Sequence, residues 1–387
     1  MAKKLKFTNT RQSQFYATLK QRVDAYFHQN ALSKYGNRSL WAKALFFLTG
    51  YIALYGLLLS GLFGAPVMAL LAALLGAFGA CIGFNICHDA IHGAFSANRH
   101  VNKAFSLLFH FIGANPYVWN ITHNIVHHSY TNIAGHDGDL DMAPGLIRLS
   151  VTEKMLPHQR YQHLYAFGLY AVAMLNWVFR KDFEKFFQKE IGGHRSGRHP
   201  KKEYFNLFFY KAVYYVLFIV LPLMVVPLPW WQVLTGFLLL QLVQGLVSGL
   251  VFSVTHVVED TAFPEPNAQG NMEESWAEHQ VRTSSNFAGD SSLATFLCGG
   301  LNLQTAHHLF PKICHIHYPA LNPIIRETAR EFHLPYIEYP TFGAALRSHY
   351  RMLRKLGREA EPEGAPDACA VFARVQISPN FKIDSEN

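Results

Sequence analysis

Between Ala44 and Cys87 this chain of 387 residues carries no charged side chain, and none appears between Ala212 and Thr255. At roughly 20 apolar residues per crossing helix, each stretch is long enough to enter and leave a bilayer. Each also holds a turn signal near its middle, Gly64-Ala65-Pro66 in the first and Pro227-Leu228-Pro229 in the second. Ionisable residues inside the helices would mark a path across the membrane, and their absence speaks against a transporter. The same runs hold no facing histidines, which a b-type haem subunit would need. No secretory apolar segment comes first, because residues 1–43 contain nine Lys/Arg and one acid, Asp24. Cys81, Cys87, Cys298, Cys314 and Cys369 form no CxxC pair and no disulfide spacing, so reduced, packing thiols are expected. HExxH is missing too, which excludes a zincin.

The charge that is present sits where topology needs it. Arg180 to Lys202 holds eight basic and three acidic residues, whereas the turns inside the apolar runs hold none. By the positive-inside rule the N-terminus, the middle region and the C-terminal region are all expected in the cytosol. The formal net charge of +8 is therefore read as a topology signal, with attraction to anionic headgroups second and nucleic-acid binding disfavoured. The expected fold is an all-α integral membrane protein: four transmembrane helices (about 44–62, 66–87, 207–227 and 230–255) in two hairpins, capped by a cytosolic helical domain carrying a di-metal site. Residues 1–43 read as a cytosolic lead-in, 44–356 as the main domain and 357–387 as a loosely ordered tail. Ala104–Trp119 and Leu164–Phe179 are apolar but too short to span, which fits interfacial helices. Gln241, Gln244 and Ser248 recur at helical spacing in the fourth helix, a face expected to point into the bundle.

Each apolar run ends in a histidine, His88 or His256, and a hairpin returns both to one membrane face. His88 and His92 are an i, i+4 pair sharing a helix face. His123 and His127 repeat that spacing, and His128, about 100° further round, is placed to reach a second metal. Gln304, His307 and His308 fall at i, i+3 and i+4, again on one face. A structural zinc needs four ligands and a catalytic zinc three plus water, so eight histidines at one depth imply two metals with open positions. Imidazole suits Fe, Zn and Cu alike, so ligand type leaves the metal open.

In His88-x3-His92, His123-x3-His127-His128 and Gln304-x2-His307-His308-Leu309-Phe310-Pro311 the chain resembles the membrane fatty acid desaturase superfamily over about residues 40–335. The Gln-type third box is similar to that of front-end desaturases, and Trp276, Gln280 and Asn286 fall in a similar order before it. The resemblance implies a non-haem centre of two Fe, O2 as co-substrate, and removal of two hydrogens from an unactivated acyl chain. It implies metal-ligand roles for His88, His92, His123, His127, His128, His256, His307 and His308, with Gln304 near the metals. No catalytic residue separate from these ligands is implied. Acyl-CoA desaturases of the family have Asn four residues before the helix-four histidine; here Phe252 stands there, so the second metal's shell is expected to differ.

Asp89, Asp137, Asp139 and Asp141 are placed to accept the outer N–H of ligand imidazoles. Tyr117, Trp119 and Trp276 are candidates for lining an acyl tunnel, with an interfacial aromatic belt as the other reading. His100, His110, His136, His158, His163, His194, His199, His279, His315, His317, His333 and His349 match no box and read as surface or interfacial. The substrate is a fatty acyl-CoA or an acyl-lipid. Without a HisProGlyGly haem motif, electrons are expected from a separate cytochrome b5 or a ferredoxin with its reductase. A di-iron lipid or carotenoid hydroxylase is the alternative, and the Gln-type box favours the desaturase.

Overall fold

The computed structural model describes residues 5–140, 143, 145–150, 154–195 and 198–359, and these are mostly helical. Strands among the described residues are two-residue pairings: Lys6–Phe7 with Asn271–Met272, Glu190–Ile191 with His194–Arg195, and Asn286–Phe287 with Glu338–Tyr339. The helices that position the site are α1 (Phe15–Gln29), α2 (Arg38–Ser60), α3 (Ala65–His92), α4 (Gln162–Asn176), α5 (Lys201–Val225), α6 (Trp230–His256), α7 (Trp276–Arg282), α8 (Gln304–Leu309), α9 (Tyr318–Glu331) and α10 (Phe342–Leu356). Four of them, α2, α3, α5 and α6, are long and apolar enough to cross a membrane, which fits a membrane protein. The tail expected from residue 357 onward lies, from 360, outside the described residues, as does Cys369.

Local chemistry explains where these helices start, bend and touch. Asn37 caps α2 by accepting the Ser39 and Leu40 N–H groups, and Pro66 opens α3 at a position that needs no N–H donor. Gly61 ends α2 at φ 63°, and a Cβ there would lie 2.3 Å from Pro227 Cδ, so the two mid-run turns pack together. On α3, a Cβ at Gly76 would meet the Leu240 carbonyl oxygen at 2.3 Å, so α3 and α6 touch backbone to backbone. Gln241 donates to the Tyr214 hydroxyl at 2.5 Å and Gln244 to the Ile112 carbonyl at 2.8 Å. Both glutamines are buried as expected, while Ser248 is only half-buried.

Among the described residues four π-helical turns interrupt the α-helices, two of them with a visible cause. In α5, Val216–Val220 widens just before Pro222, whose ring would collide with the carbonyl four residues back in a regular helix. In α3, Gly83–Cys87 widens where Asn85 turns its amide onto the Cys81 carbonyl at 2.8 Å and the Leu297 carbonyl at 3.1 Å. Of the other two, Trp177–Lys181 continues α4, and Asn120–His127 carries two of the boxed histidines. The apolar stretch Ala104–Trp119 is no single helix. It breaks into Arg99–Ser106, Leu108–Phe111 and Pro116–Trp119, with Asn115 capping the last piece.

Candidate metal centre

The four histidine-bearing segments converge. Ligand nitrogens of His88, His92, His123 and His307 lie within 4.8 Å of one another, as do those of His127, His256 and His308, and those of His128, His307 and His308. All eight expected histidines are thus in one place, His92 half-buried and the others buried. The π-helical stretch supplies both groups. His123 joins the group with His88 and His92, while His127, four residues on, joins His256 and His308. His128, expected to serve a second metal, lies between the groups, 4.9 Å from the His92 ring and 4.5 Å from that of His308. The His123 and His127 rings still stack, 4.9 Å apart with 26° between their planes, so the face that helical spacing predicts is kept and meets both groups at once.

The outer nitrogens are held by acceptors that fix the tautomer. His123 Nδ1 donates to Asp139 at 3.1 Å, His127 Nδ1 to Asp137 at 2.8 Å, His256 Nδ1 to the Thr283 carbonyl at 3.0 Å, and His308 Nδ1 to Gln280 Oε1 at 2.7 Å. Each of those rings is left with an Nε2 lone pair. Nε2 of His88, His92, His123, His127, His128 and His307 is buried with no hydrogen-bond partner. Orphaned buried polar atoms are costly, and so many aimed at one point fit cations in two neighbouring positions. Asp137 also accepts the Asn132 and Asp139 N–H groups, and Lys181 lies 3.3 Å from Asp139. Asp141 lies outside the described residues.

Asp89 has contacts beyond those expected of it. Its Oδ1 is 3.8 Å from His88 Nδ1, too long for a hydrogen bond, while Oδ2 accepts from His315 Nδ1 at 2.8 Å and from Cys314 at 3.0 Å. The rigid reach from α3 to the segment after α8 decides this, since His315 offers both its ring and its backbone N–H to one oxygen. Gln304 is where expected: its Nε2 lies 2.9 Å from His256 Nε2 and 3.2 Å from His308 Nε2. Phe252 sets its ring 5.3 Å from His127 and 5.1 Å from His256. An apolar ring therefore flanks the second group, which also receives the Gln304 amide.

Of the aromatic candidates, Trp119 stacks on His123 at 4.2 Å and 18° and lies edge-on to His88 and His92. Tyr117 instead bonds His199 at 3.0 Å, and Trp276 donates to the His128 carbonyl at 2.9 Å. The three residues noted before the third box hold the centre. Trp276 and Gln280 both grip His128 through its carbonyl, Gln280 also fixes His308, and Asn286 accepts the Thr305 N–H at the start of α8. Several histidines read as surface or interfacial are buried. His279 bonds the Thr131 carbonyl at 2.8 Å, His349 the Val257 carbonyl at 2.6 Å, and His110 stacks on Tyr210 at 3.9 Å. His163, His315 and His317 are buried as well.

Burial, reinforced by the charge of neighbouring imidazoles, holds His123, His128, His307 and His308 well below the ordinary histidine range. At His127 burial works against protonation too, but the Asp137 carboxylate and its hydrogen bond outweigh it and raise the ring. Unfolded histidines take up protons near pH 6.5, and the four depressed rings do not. Metal-free protein should therefore lose thermal stability as pH falls below about 6.5, with the single raised ring offsetting only part of the loss. Melting curves in detergent from pH 8 to 5.5 check this; a flat midpoint would contradict it.

The profile of the family described as "Fatty acid desaturase" matches residues 64–340. An "Acyl-lipid (8-3)-desaturase" of Physcomitrium patens is 35% identical over 355 residues, 91% of this chain and 74% of that protein. An "sn-1 linoleoyl-lipid 6-desaturase" of Synechocystis sp. is 34% identical over 359 residues, 92% of this chain and 99% of that protein. An "Acyl-lipid (8-3)-desaturase" of Mortierella alpina is 31% identical over 356 residues, 90% of this chain and 79% of that protein. The matched span runs from the α2–α3 turn to just past the second strand pairing with Asn286–Phe287, taking in every boxed histidine and the four long apolar helices save α2. The chain belongs to the fatty acid desaturase family, and it is an enzyme that desaturates fatty acids.

Proposed function

We propose that this protein is a front-end acyl-lipid desaturase with two irons. His88, His92, His123 and His307 would hold the first iron and His127, His256 and His308 the second, with His128 near both groups and Gln304 beside the second. When bound, the irons supply with O2 and two electrons the oxidising power to remove two hydrogens from an alkyl chain, which offers no acid–base handle. The protein's part is to hold neutral imidazoles in fixed tautomers through Asp137, Asp139, Thr283 and Gln280, and to keep an acyl chain dry beside them. Trp119, stacked on His123, is the aromatic candidate best placed to touch that chain. Two hairpins, α2–α3 and α5–α6, with their turns at one end and the histidines at the other, fit cytosolic termini and a cytosolic metal centre. Electrons come from a separate cytochrome b5 or ferredoxin with its reductase.

The observation that carries this reading is the row of buried, unpartnered imidazole nitrogens pointing at one place. The lipid-linked, front-end assignment is supported by the names of the relatives, among them linoleoyl-lipid and acyl-lipid desaturases. Methyl-ester analysis of a heterologous host fed defined polyunsaturated precursors tests it. The expected product has one new double bond on the carboxyl side of an existing one, in the lipid fraction. A hydroxylated acid would favour the hydroxylase, and a new bond on the methyl side would overturn front-end selectivity.

Gln304 gives a sharper prediction. An amide is a poor iron ligand beside imidazole, but it can hydrogen-bond a bound water or position a neighbouring ring. Gln304→Ala should keep both irons and lower turnover by about 10- to 100-fold. Iron content and product yield measured together decide it, and wild-type turnover in the Ala variant would remove Gln304 from the site.

A further inference from the structure

A lysine buried in a membrane helix is costly unless a partner compensates it, so the partner marks a site. Lys43 lies in α2 with 8% of its surface exposed. Its ammonium sits 3.1 Å from His315 Nε2 and 3.3 Å from the Thr295 carbonyl, over the Phe296 ring at 5.0 Å. An ammonium only donates, so His315 Nε2 must accept and the ring proton is fixed on Nδ1. That N–H donates to Asp89 Oδ2 at 2.8 Å, and the His315 backbone N–H and the Cys314 thiol converge on the same oxygen. Oδ2 is thereby filled, and Oδ1 faces His88 Nδ1 at 3.8 Å.

His88 is the one first-box ring adjacent to this string, and neither of its nitrogens has a hydrogen-bond partner. His123, His127, His256 and His308 each have an acceptor on Nδ1, and His307 Nδ1 meets the Tyr318 hydroxyl at 3.3 Å. We propose that Lys43 and His315 are positioning residues that act through Asp89 on His88. Lys43 sets the tautomer of His315, and His315 holds Asp89 with Oδ1 free to accept the His88 Nδ1–H. His88 then presents Nε2 to the metal, and a shift of less than an ångström brings Oδ1 into hydrogen-bond range. The inference rests on the metal-centre reading. A mere clamp between α3 and the segment after α8 would use the same contacts without touching the metal.

Co(II) uptake by the full-length protein in detergent separates the two, because both affinity and visible absorption report ligand geometry. Lys43→Met and His315→Phe should weaken Co(II) binding by about 10- to 100-fold and shift its absorption bands. His315→Asn, which keeps a donor facing Asp89, should restore affinity and bands close to wild type, and it also serves if the first two variants fail to insert. Wild-type affinity and spectrum in Lys43→Met and His315→Phe, whatever their melting temperatures, would overturn the role and leave a clamp. So would an Asn variant that binds as poorly as the Phe variant. Wild-type protein that takes up no Co(II) would instead overturn the metal centre itself, which keeps the two failures apart.

Discussion

His307→Ala should yield protein that inserts into the membrane at a normal level and forms no detectable unsaturated product. His307 is one of two rings, with His308, shared by two histidine groups, its nitrogen within 4.8 Å of those of His88, His92 and His123 and also of those of His128 and His308. Removing it takes a ligand from the crowded centre at once, whereas a ring on the rim would affect one group alone. Insertion depends on the uncharged runs, which α8 does not interrupt. The side chain is fully buried, so truncation also opens a small cavity costing on the order of 2–4 kcal/mol, a loss that folding can be checked for separately by detergent melting. Methyl-ester yield per unit of inserted protein is the readout, and near-normal yield would take His307 out of the site.

The second large effect is expected at Asp137. Its carboxylate accepts His127 Nδ1–H at 2.8 Å, the Asn132 N–H at 3.0 Å and the Asp139 N–H at 3.1 Å, all in a dry setting. Asp137→Ala leaves three buried donors without acceptors, each costing about 1–3 kcal/mol, and frees His127 to rotate. Turnover should fall at least 10- to 100-fold with weakened metal retention. Asp137→Asn keeps one acceptor oxygen and should fall between Ala and wild type. Equal metal content and turnover in all three proteins would show that His127 needs no such partner.

Much of this was legible in the sequence, and the reasons are physical. A run of apolar residues without charge has one stable destination, so the ends of the four long helices could be placed to within six residues: about 44–62 against Arg38–Ser60, and 230–255 against Trp230–His256. Histidines at the end of such runs share a depth, which brought the boxes together on paper before any coordinate did. What stayed hidden depends on contacts between distant residues. His123 and His127 stack as their spacing predicts, but their assignment to two different groups depends on where His88, His92, His256 and the third box meet them, and it was missed. Lys43 looked like one more positive-inside charge, and His315 like a surface ring, because their pairing joins residues 272 positions apart. His279 and His349 were misjudged for the same reason, each being buried against a backbone carbonyl that no local pattern announces. Trp276, Gln280 and Asn286 were visible as an ordered trio, Trp276 also as a tunnel candidate; their grip on His128, His308 and α8 is a fact of packing.

The account turns on two metals in one nest of imidazoles, and metal stoichiometry tests it most directly. Protein extracted from iron-replete cells, quantified by amino-acid analysis and plasma emission, should carry close to two irons per chain. Replacing His256 with Ala should leave the first group of ligands intact and lower that figure toward one. A single zinc per chain, or an iron content unchanged by loss of His256, would contradict the two-metal centre.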